Sequence, residues 1–344
     1  MDEQNRLKHF TPILKQYSLK PYFVEDFGNI QKVYSNKGVF ALKKITPFSG
    51  IDFIHHVQFL YQKGYNRIVP IYPTIDGRYG ILDNHKLYYL MPWLSNEMKE
   101  NRDGRHKQLF RELARLHTLS AKEIAIDKDE KTEHYENTVL KWQKDEEFIN
   151  GFIEICEKNW YMSPFELLFC LYFNDINQAL RFAKGKLEEW YEKTKEETNV
   201  RAVIIHGKVS TEHFLYDDRG YGFFINFENS KLAPPFHDLL PFLSRSLKGY
   251  PKQHEACLDW IYTYFKYFPF KEDELSLFLS YFAYPGSLIR VAQNYYLKKT
   301  RKKEFKFVQQ LQQEYWHMKN IEYIVMKIDE SERQKKHAQE GAKE

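Results

Sequence analysis

Cysteine is scarce. Cys156, Cys170 and Cys257 are the only three in 344 residues; they lie far apart and form no C-x-x-C pair. That spacing argues against a disulfide framework or a thiolate metal site, and it points to synthesis in a reducing compartment. The opening residues, MDEQNRLKHF, are charged and contain no apolar core, so no export signal is expected. The longest apolar stretch read from the sequence, Phe165 to Phe173, falls short of the ~18 residues a membrane span needs. Net charge is only +4, too small to argue for nucleic acid as a partner. No internal repeat is visible.

What is abundant is aromatic. With 27 Phe, 25 Tyr and 6 Trp, the chain carries large side chains for cores and grooves. A length of 344 residues suits two domains or lobes. Residues 1–21 read as a short helix ended by Pro21. From Tyr22 the text becomes β-prone: Phe27–Ile30, Lys32–Ser35 and Val39–Lys43, separated by turn residues such as Asn36-Lys37-Gly38. This is an antiparallel meander whose third strand ends in a lysine. Strand alternation turns Lys43 toward a cleft and Lys44 away from it. Apolar residues at 51, 54, 57 and 60 then mark an amphipathic helix, with Ser49 or Asp52 at its start and Gly64 at its end. It contains no Glu, so Lys43 has no local ion-pair partner. His55 and His56 diverge by roughly 100° on a helix and do not form a metal pair.

Three further β pieces follow, Ile68–Tyr72, Tyr79–Leu82 and Leu87–Met91. The chain leaves the sheet at Pro92-Trp93-Leu94, an extended connector with the look of a hinge. Beyond Arg102 the pattern is helical. Leu109, Leu113, Leu116 and Leu119 line one face, and His117 on its edge reads as a core residue. Residues 121–138 read as a charged linker. Helices are then expected at 139–157, 165–182, 184–198, 252–268, 272–283, 287–299 and 304–327, followed by a charged, disordered tail over 328–344. The basic run 298–306 reads as a solvated helix face.

The stretch that carries chemistry runs from Val203 to Glu228. An apolar strand leads into His206-Gly207. Then come a loop, the apolar pair Phe214-Leu215, a turn at Asp217–Gly220, and a second strand ending Ile225-Asn226-Phe227-Glu228. This layout of loop, hairpin and loop is that of a kinase catalytic centre, where an Asp takes the substrate proton and an Asn and a second Asp hold Mg²⁺.

Together these features resemble the aminoglycoside phosphotransferase-like or choline kinase-like branch of the kinase fold, whose signature is H-G-D-x-x-x-x-N followed by I-D-F-[DE]. His206, Gly207, Leu215, Ile225, Phe227 and Glu228 match it. Asp238, after Pro234-Pro235, resembles the Asp that follows the motif and supports the C-terminal helices. Within that branch the text is similar to the Bacillus spore-coat kinase-like family (CotS-type proteins, with its YsxE-type branch). The similarity lies in Gly38–Lys43, Pro73–Gly77, Tyr88–Leu94 and Leu113–His117. The resemblance spans about residues 22–325. It implies an α+β, two-lobed, protein kinase-like fold. The β-rich small lobe covers 22–91, the hinge 92–95 and the helical lobe 96–327, with its catalytic loop at 206–228.

Three positions depart from the signature. Lys208 stands for the catalytic Asp, His213 for the Mg-binding Asn, and Asn226 for the Mg-binding Asp. Two carboxylates are lost and a cation is gained, about +3 in local charge, where phosphoryl transfer relies on metal and base. No metal site is therefore expected, Mg²⁺ is disfavoured, and Lys208, His213 and Asn226 mark a degenerate loop. Lys43, Met91 and Glu228 are the residues placed at a nucleotide cleft, and ATP stays open as a ligand. The expected role is a pseudokinase in spore-coat structure or assembly. Its partners would be other coat proteins, and it would be made in the mother-cell cytoplasm. Two alternatives remain open at this point. One is an active ATP-dependent phosphotransferase using oxygens of Glu228, Glu212 or Asp217. The other is a metal-independent nucleotide sensor with an open cationic cleft around Lys43 and Lys208.

Overall fold

A computed structural model of the chain describes residues 3–46, 52–94, 96, 102–298 and 304–341. Ser49, Ile51, the end of the expected hinge at 95 and most of the basic run at 298–306 lie outside the described residues. Two compact units emerge, one of residues 1–121 with 203–238, the other of residues 122–202 with 239–344. The loop at 206–228 falls in the first unit.

The first unit begins with α1 (Glu3–Lys15) and a five-stranded antiparallel sheet in the order β1-β2-β3-β5-β4. The strands are β1 (Pro21–Asp26), β2 (Ile30–Ser35), β3 (Gly38–Ile45), β4 (Ile81–Asp83) and β5 (Lys86–Pro92). The first strand therefore precedes the Phe27–Ile30 piece, which is the turn into β2; there Gly28 takes a left-handed φ of 81°. Side-chain alternation divides the sheet's two faces. Val33, Leu42 and Leu90 join a core cluster with Phe10, Ile13 and Leu14 of α1. Ala41, Lys43, Tyr89 and Met91 fall on the opposite face, with Lys43 paired to Tyr89 and Ala41 to Met91. Ile68–Tyr72, expected as a strand, is irregular and makes only isolated bridges, Ile68 with Phe224 and Tyr72 with Leu90.

The helix α2 (Asp52–Gln62) buries Phe53, Ile54, Val57 and Leu60, the expected stripe. After β5, the Trp93 amide donates to the Val39 carbonyl (3.2 Å), which carries the β3–β5 pairing one residue into the connector. The long helix α3 (Arg102–Ser120) buries Leu109, Phe110, Leu113 and Leu116 completely.

The second unit is mainly helical. Residues 121–138 are not a linker. They form the strand β6 (Lys122–Ala125) and the start of α4 (Lys128–Lys158). Lys131 is buried because its ammonium donates to the carbonyls of Thr194 (2.7 Å) and Glu197 (2.8 Å), at and just beyond the end of a helix. That helix is α5 (Pro164–Thr194), one continuous element where two were expected. It opens with a capping box between Ser163 and Glu166. The strand β7 (Asn199–Ile205) pairs by Asn199–Ala202 with β6, and by Val203–Ile205 with β10 (Lys231–Ala233) of the first unit's segment. Between these last two strands lie β8 (Phe214–Tyr216) and β9 (Gly222–Phe224), a short hairpin.

The chain continues through α6 (Phe236–Ser246), α7 (Glu255–Tyr267), α8 (Glu272–Ala283), α9 (Gly286–Lys298) and α10 (Glu304–Gly341). Expected disorder from 328 onward is overturned over 328–341. Ile328 and Asp329 are buried, and Asp329 pairs with Lys186 (2.8 Å) and Arg333 (2.8 Å). Among the described residues, Glu272–Leu297 is the one stretch long and apolar enough to cross a membrane; 56% of its most apolar 18-residue window is buried in the fold. It is two helices, interrupted at Tyr284-Pro285.

Candidate functional site

The site is assembled from β3, β5 and the loop that follows β9, all within the first unit. β7 carries Ile205 into the buried His206. One carboxylate holds the backbone that follows: Asp238 accepts from the amides of His206 (2.6 Å) and Gly207 (2.8 Å), and the buried His117 ring lies 3.2 Å from it. Asp238 sits in the first turn of α6. The fold uses its carboxylate to fix the His-Gly corner. Gly207 is required there. Its φ is +78°, and a Cβ would lie 2.2 Å from the Asn229 carbonyl oxygen.

His206 is locked as a neutral tautomer. Its Nε2 donates to the Ile225 carbonyl (2.6 Å) and its Nδ1 accepts from the Lys208 amide (3.2 Å). Burial pulls it below the ordinary histidine value, against the pull of Asp238. His213 stands on the single turn Thr211–His213 and donates from Nδ1 to the Lys208 carbonyl (2.8 Å). Burial lowers it as well, with Lys208 and Lys43 adding to the shift. The side chain of Lys208 is exposed.

The hairpin's second strand is shorter than the sequence suggested. β9 ends at Phe224, whose amide and carbonyl bond to Arg67 (2.8 Å) and Val69 (2.9 Å). Asn226 then takes a left-handed φ of 67°, a conformation asparagine tolerates, and Phe227–Asn229 make one 3₁₀ turn. This geometry aims both Asn226 and Glu228 back at β3. The Lys43 ammonium donates to Asn226 Oδ1 (2.5 Å) and to Glu228 Oε1. Tyr89, the cross-strand neighbour of Lys43, donates its hydroxyl to the same Glu228 oxygen. The side chains of Lys43 and Glu228 are only 11% and 18% exposed.

Lys43 therefore has an ion-pair partner, contributed by the loop after β9 instead of α2. Burial raises Glu228, but the Lys43 charge and the hydrogen bonds from Lys43 and Tyr89 outweigh it and hold the carboxyl below its usual range. Burial pulls Lys43 below its own usual value, with Glu228 opposing and Lys208 adding. An ionised Glu228 in direct contact keeps the proton on Lys43, and the pair is ionic.

The other two carboxylates do not converge here. Asp217 is spent on its own turn, accepting from the amides of Arg219 (3.1 Å) and Tyr221 (2.8 Å). Glu212 is exposed on the Thr211–His213 turn. Met91 is buried on the same sheet face as Lys43, two residues beyond Tyr89. His56 lies 2.9 Å from Ser230 Oγ, and both line a cleft of about 840 Å³ with His55, His237 and Gly207.

No family model matches the sequence, and no curated protein does. Solved structures do match. An aminoglycoside phosphotransferase from Alicyclobacillus acidocaldarius superposes with a TM-score of 0.65 at 15% identity, over 92% of this chain and 95% of that one. A spectinomycin phosphotransferase in complex with ADP and spectinomycin gives 0.52 at 12% identity, over 94% and 99%. A microcompartment-associated aminopropanol kinase gives 0.51 at 14%, over 90% and 95%. The fold is that of the aminoglycoside phosphotransferase-like kinases.

Kinases of this fold act on a magnesium–nucleotide complex, and the residues present can be tested against that group. A divalent cation needs several oxygens and net negative charge. Here the Asn226 oxygen and one Glu228 oxygen both face an ammonium. A second ammonium stands at 208 and a neutral imidazole, donating to a carbonyl, at 213. This donor set does not fit Mg²⁺. The lysine that would meet the nucleotide's phosphates is engaged inside the protein. Glu228 was recognisable from the I-x-F-E text, but the text gives no sign that it would meet Lys43.

Proposed function

We propose that this protein is a kinase-fold protein without phosphotransfer chemistry, retained as a structural or assembly component of the spore coat. The observation that carries the first half is the internal pairing of Lys43 with Asn226 and Glu228. A cation of the chain itself engages Asn226, which stands at the position of the metal-binding Asp, and Glu228 two residues beyond it. Phosphoryl transfer without the metal, and with Lys208 in place of the base, loses the main sources of transition-state stabilisation. The reading as a phosphotransferase with displaced ligands gains little support, since Glu228 is taken and Asp217 and Glu212 serve elsewhere. The reading as a nucleotide sensor with an open cationic cleft is weakened in the same way, because Lys43 is buried and paired.

The second half rests on the resemblance of Gly38–Lys43, Pro73–Gly77, Tyr88–Leu94 and Leu113–His117 to the spore-coat kinase-like family. It implies synthesis in the mother-cell cytoplasm and other coat proteins as partners. Similar structures belong to enzymes named for aminoglycosides, spectinomycin and aminopropanol. In this chain the proposal keeps their framework and drops their reaction. A fluorescent fusion in sporulating cells tests the location, with a ring at the forespore surface expected; diffuse fluorescence throughout sporulation would refute it. Release of phosphate from ATP tests the chemistry. Turnover above the buffer rate that is lost in Glu228→Gln would refute the pseudokinase reading.

A further inference from the structure

Cys156 and Cys170 lie apart in the sequence, and that spacing argued against a thiolate site; the fold brings them together. Helices α4 and α5 are joined by residues 159–163. Phe152 packs on Phe169 near that turn (4.8 Å), and Tyr135 stacks on Tyr191 near the far end (4.0 Å), so the two helices run antiparallel. Cys156 stands one turn beyond Phe152, on the same face of α4. Its thiol hydrogen-bonds with that of Cys170 on α5. Cys170 Sγ donates in turn to Sδ of Met162, on the connecting turn (3.9 Å). Three sulfurs from three separate pieces of chain meet at the tip of the hairpin.

Their surroundings are fixed on one side and open on the other. The rings of Phe152, Phe165 and Phe169 are buried and packed on one another, at 6.4 Å and 4.8 Å from Phe152. Cys156 is buried as well, while Cys170 and Met162 are half-buried. Met162 and Ile155 line a cavity of about 500 Å³ beside the turn, which gives a small ion a path to the sulfurs. Burial pushes the Cys156 thiol up to about 12 and raises Cys170 too, so both are protonated and uncharged near neutral pH.

This donor set selects its ligand. Mg²⁺ and Ca²⁺ need oxygens. Zn²⁺ takes four ligands, mostly thiolate and imidazole, and among the described residues no three His, Cys, Asp or Glu side chains gather to supply them. Thiolate and thioether together favour a soft monovalent ion, Cu⁺ above all. The spacing fits as well. Metal–sulfur bonds of ~2.3 Å around a trigonal centre set the sulfurs ~4 Å apart, close to the 3.9 Å between Cys170 Sγ and Met162 Sδ. We propose that Cys156, Met162 and Cys170 bind one soft monovalent metal ion of the Cu⁺ type. Each thiol gives its proton to solvent as its sulfur bonds the metal, and nothing is oxidised or reduced.

The test is anaerobic competition of the full chain against the Cu⁺–bicinchoninate complex, read as loss of the complex's colour, with native mass spectrometry to count bound ions. Transfer of one Cu⁺ per chain is expected, and an equal concentration of Zn²⁺ should not displace it. Met162→Leu keeps the volume and removes the sulfur, and Cys170→Ser changes a half-buried thiol; circular dichroism checks that both fold, and each should weaken Cu⁺ about tenfold or more. Met326→Leu, at an exposed methionine of α10, should leave the affinity as it is. The proposal is overturned if no Cu⁺ leaves the competitor, if Zn²⁺ displaces it, or if either Met162→Leu or Cys170→Ser binds as tightly as the parent.

Discussion

Replacing Lys43 by Met separates an internal brace from a ligand site most sharply. In a kinase cleft this lysine serves the nucleotide's phosphates. Here its ammonium is the counter-charge of Glu228, with side chains 11% and 18% exposed. Losing one partner of a buried pair strands the other charge and costs about 3–5 kcal/mol. Asn226 and Tyr89 stay as neutral neighbours of Glu228 and soften that, so a loss of about 3 kcal/mol is expected in urea unfolding followed by circular dichroism. Glu228→Gln keeps acceptors for Lys43 and Tyr89 and should cost about 2 kcal/mol. The double variant should lose at least about 1 kcal/mol less than the sum, the mark of direct coupling. A Lys43→Met protein within about 0.5 kcal/mol of the parent, or strictly additive effects, would refute the reasoning.

Other consequences follow from neighbouring geometry. Gly207→Ala places a Cβ 2.2 Å from the Asn229 carbonyl oxygen at a left-handed φ, and a loss of more than about 2 kcal/mol is expected in the same unfolding assay. His206 and His213 both have folded-state values below the ordinary 6.5. Unfolding therefore takes up protons between those values and 6.5, and stability should fall as pH drops through 6.5; a melting temperature flat between pH 7 and pH 5 would contradict this. Glu228 is likewise held below 4.5, so its contribution is complete above about that pH and lost on further acidification. Glu228→Gln should flatten that acid limb. Truncation after residue 327 removes the buried Ile328 and Asp329 and should lower stability by about 3 kcal/mol or more; an unchanged melting temperature would return that segment to the status of a loose tail.

Much of the fold was legible because its signals are local. The third-strand lysine, the apolar stripe of α2, the strand into His206-Gly207 and the β8–β9 hairpin all lie in short windows of text. Errors arose where a local signal was outvoted. Residue 183 read as a break between two helices, yet Leu180, Ala183, Leu187, Trp190 and Thr194 keep a helical spacing straight across it, and all are buried in one continuous α5. Residues 121–138 read as a charged linker, but the Lys131 ammonium is drawn in to the Thr194 and Glu197 carbonyls where α5 ends. The tail looked disordered by composition, although extending the apolar spacing of Leu311, Met318, Ile324 and Val325 to Ile328 would have kept the helix going. The partner of Lys43 was not legible. It lies 185 positions away, and only the left-handed turn at Asn226 directs it to the sheet.

The central claim is that the chain's own lysine has taken the place of metal and nucleotide. A thermal-shift titration of the purified protein with ATP, alone and with Mg²⁺ or Mn²⁺, tests it most directly, because any ligand bound to the native state raises the melting temperature as its concentration exceeds the dissociation constant. No shift at millimolar nucleotide is expected under any of the three conditions. A shift that requires the metal would contradict the claim, since it would mean that Asn226 and Glu228 release Lys43 to build a working magnesium–nucleotide site.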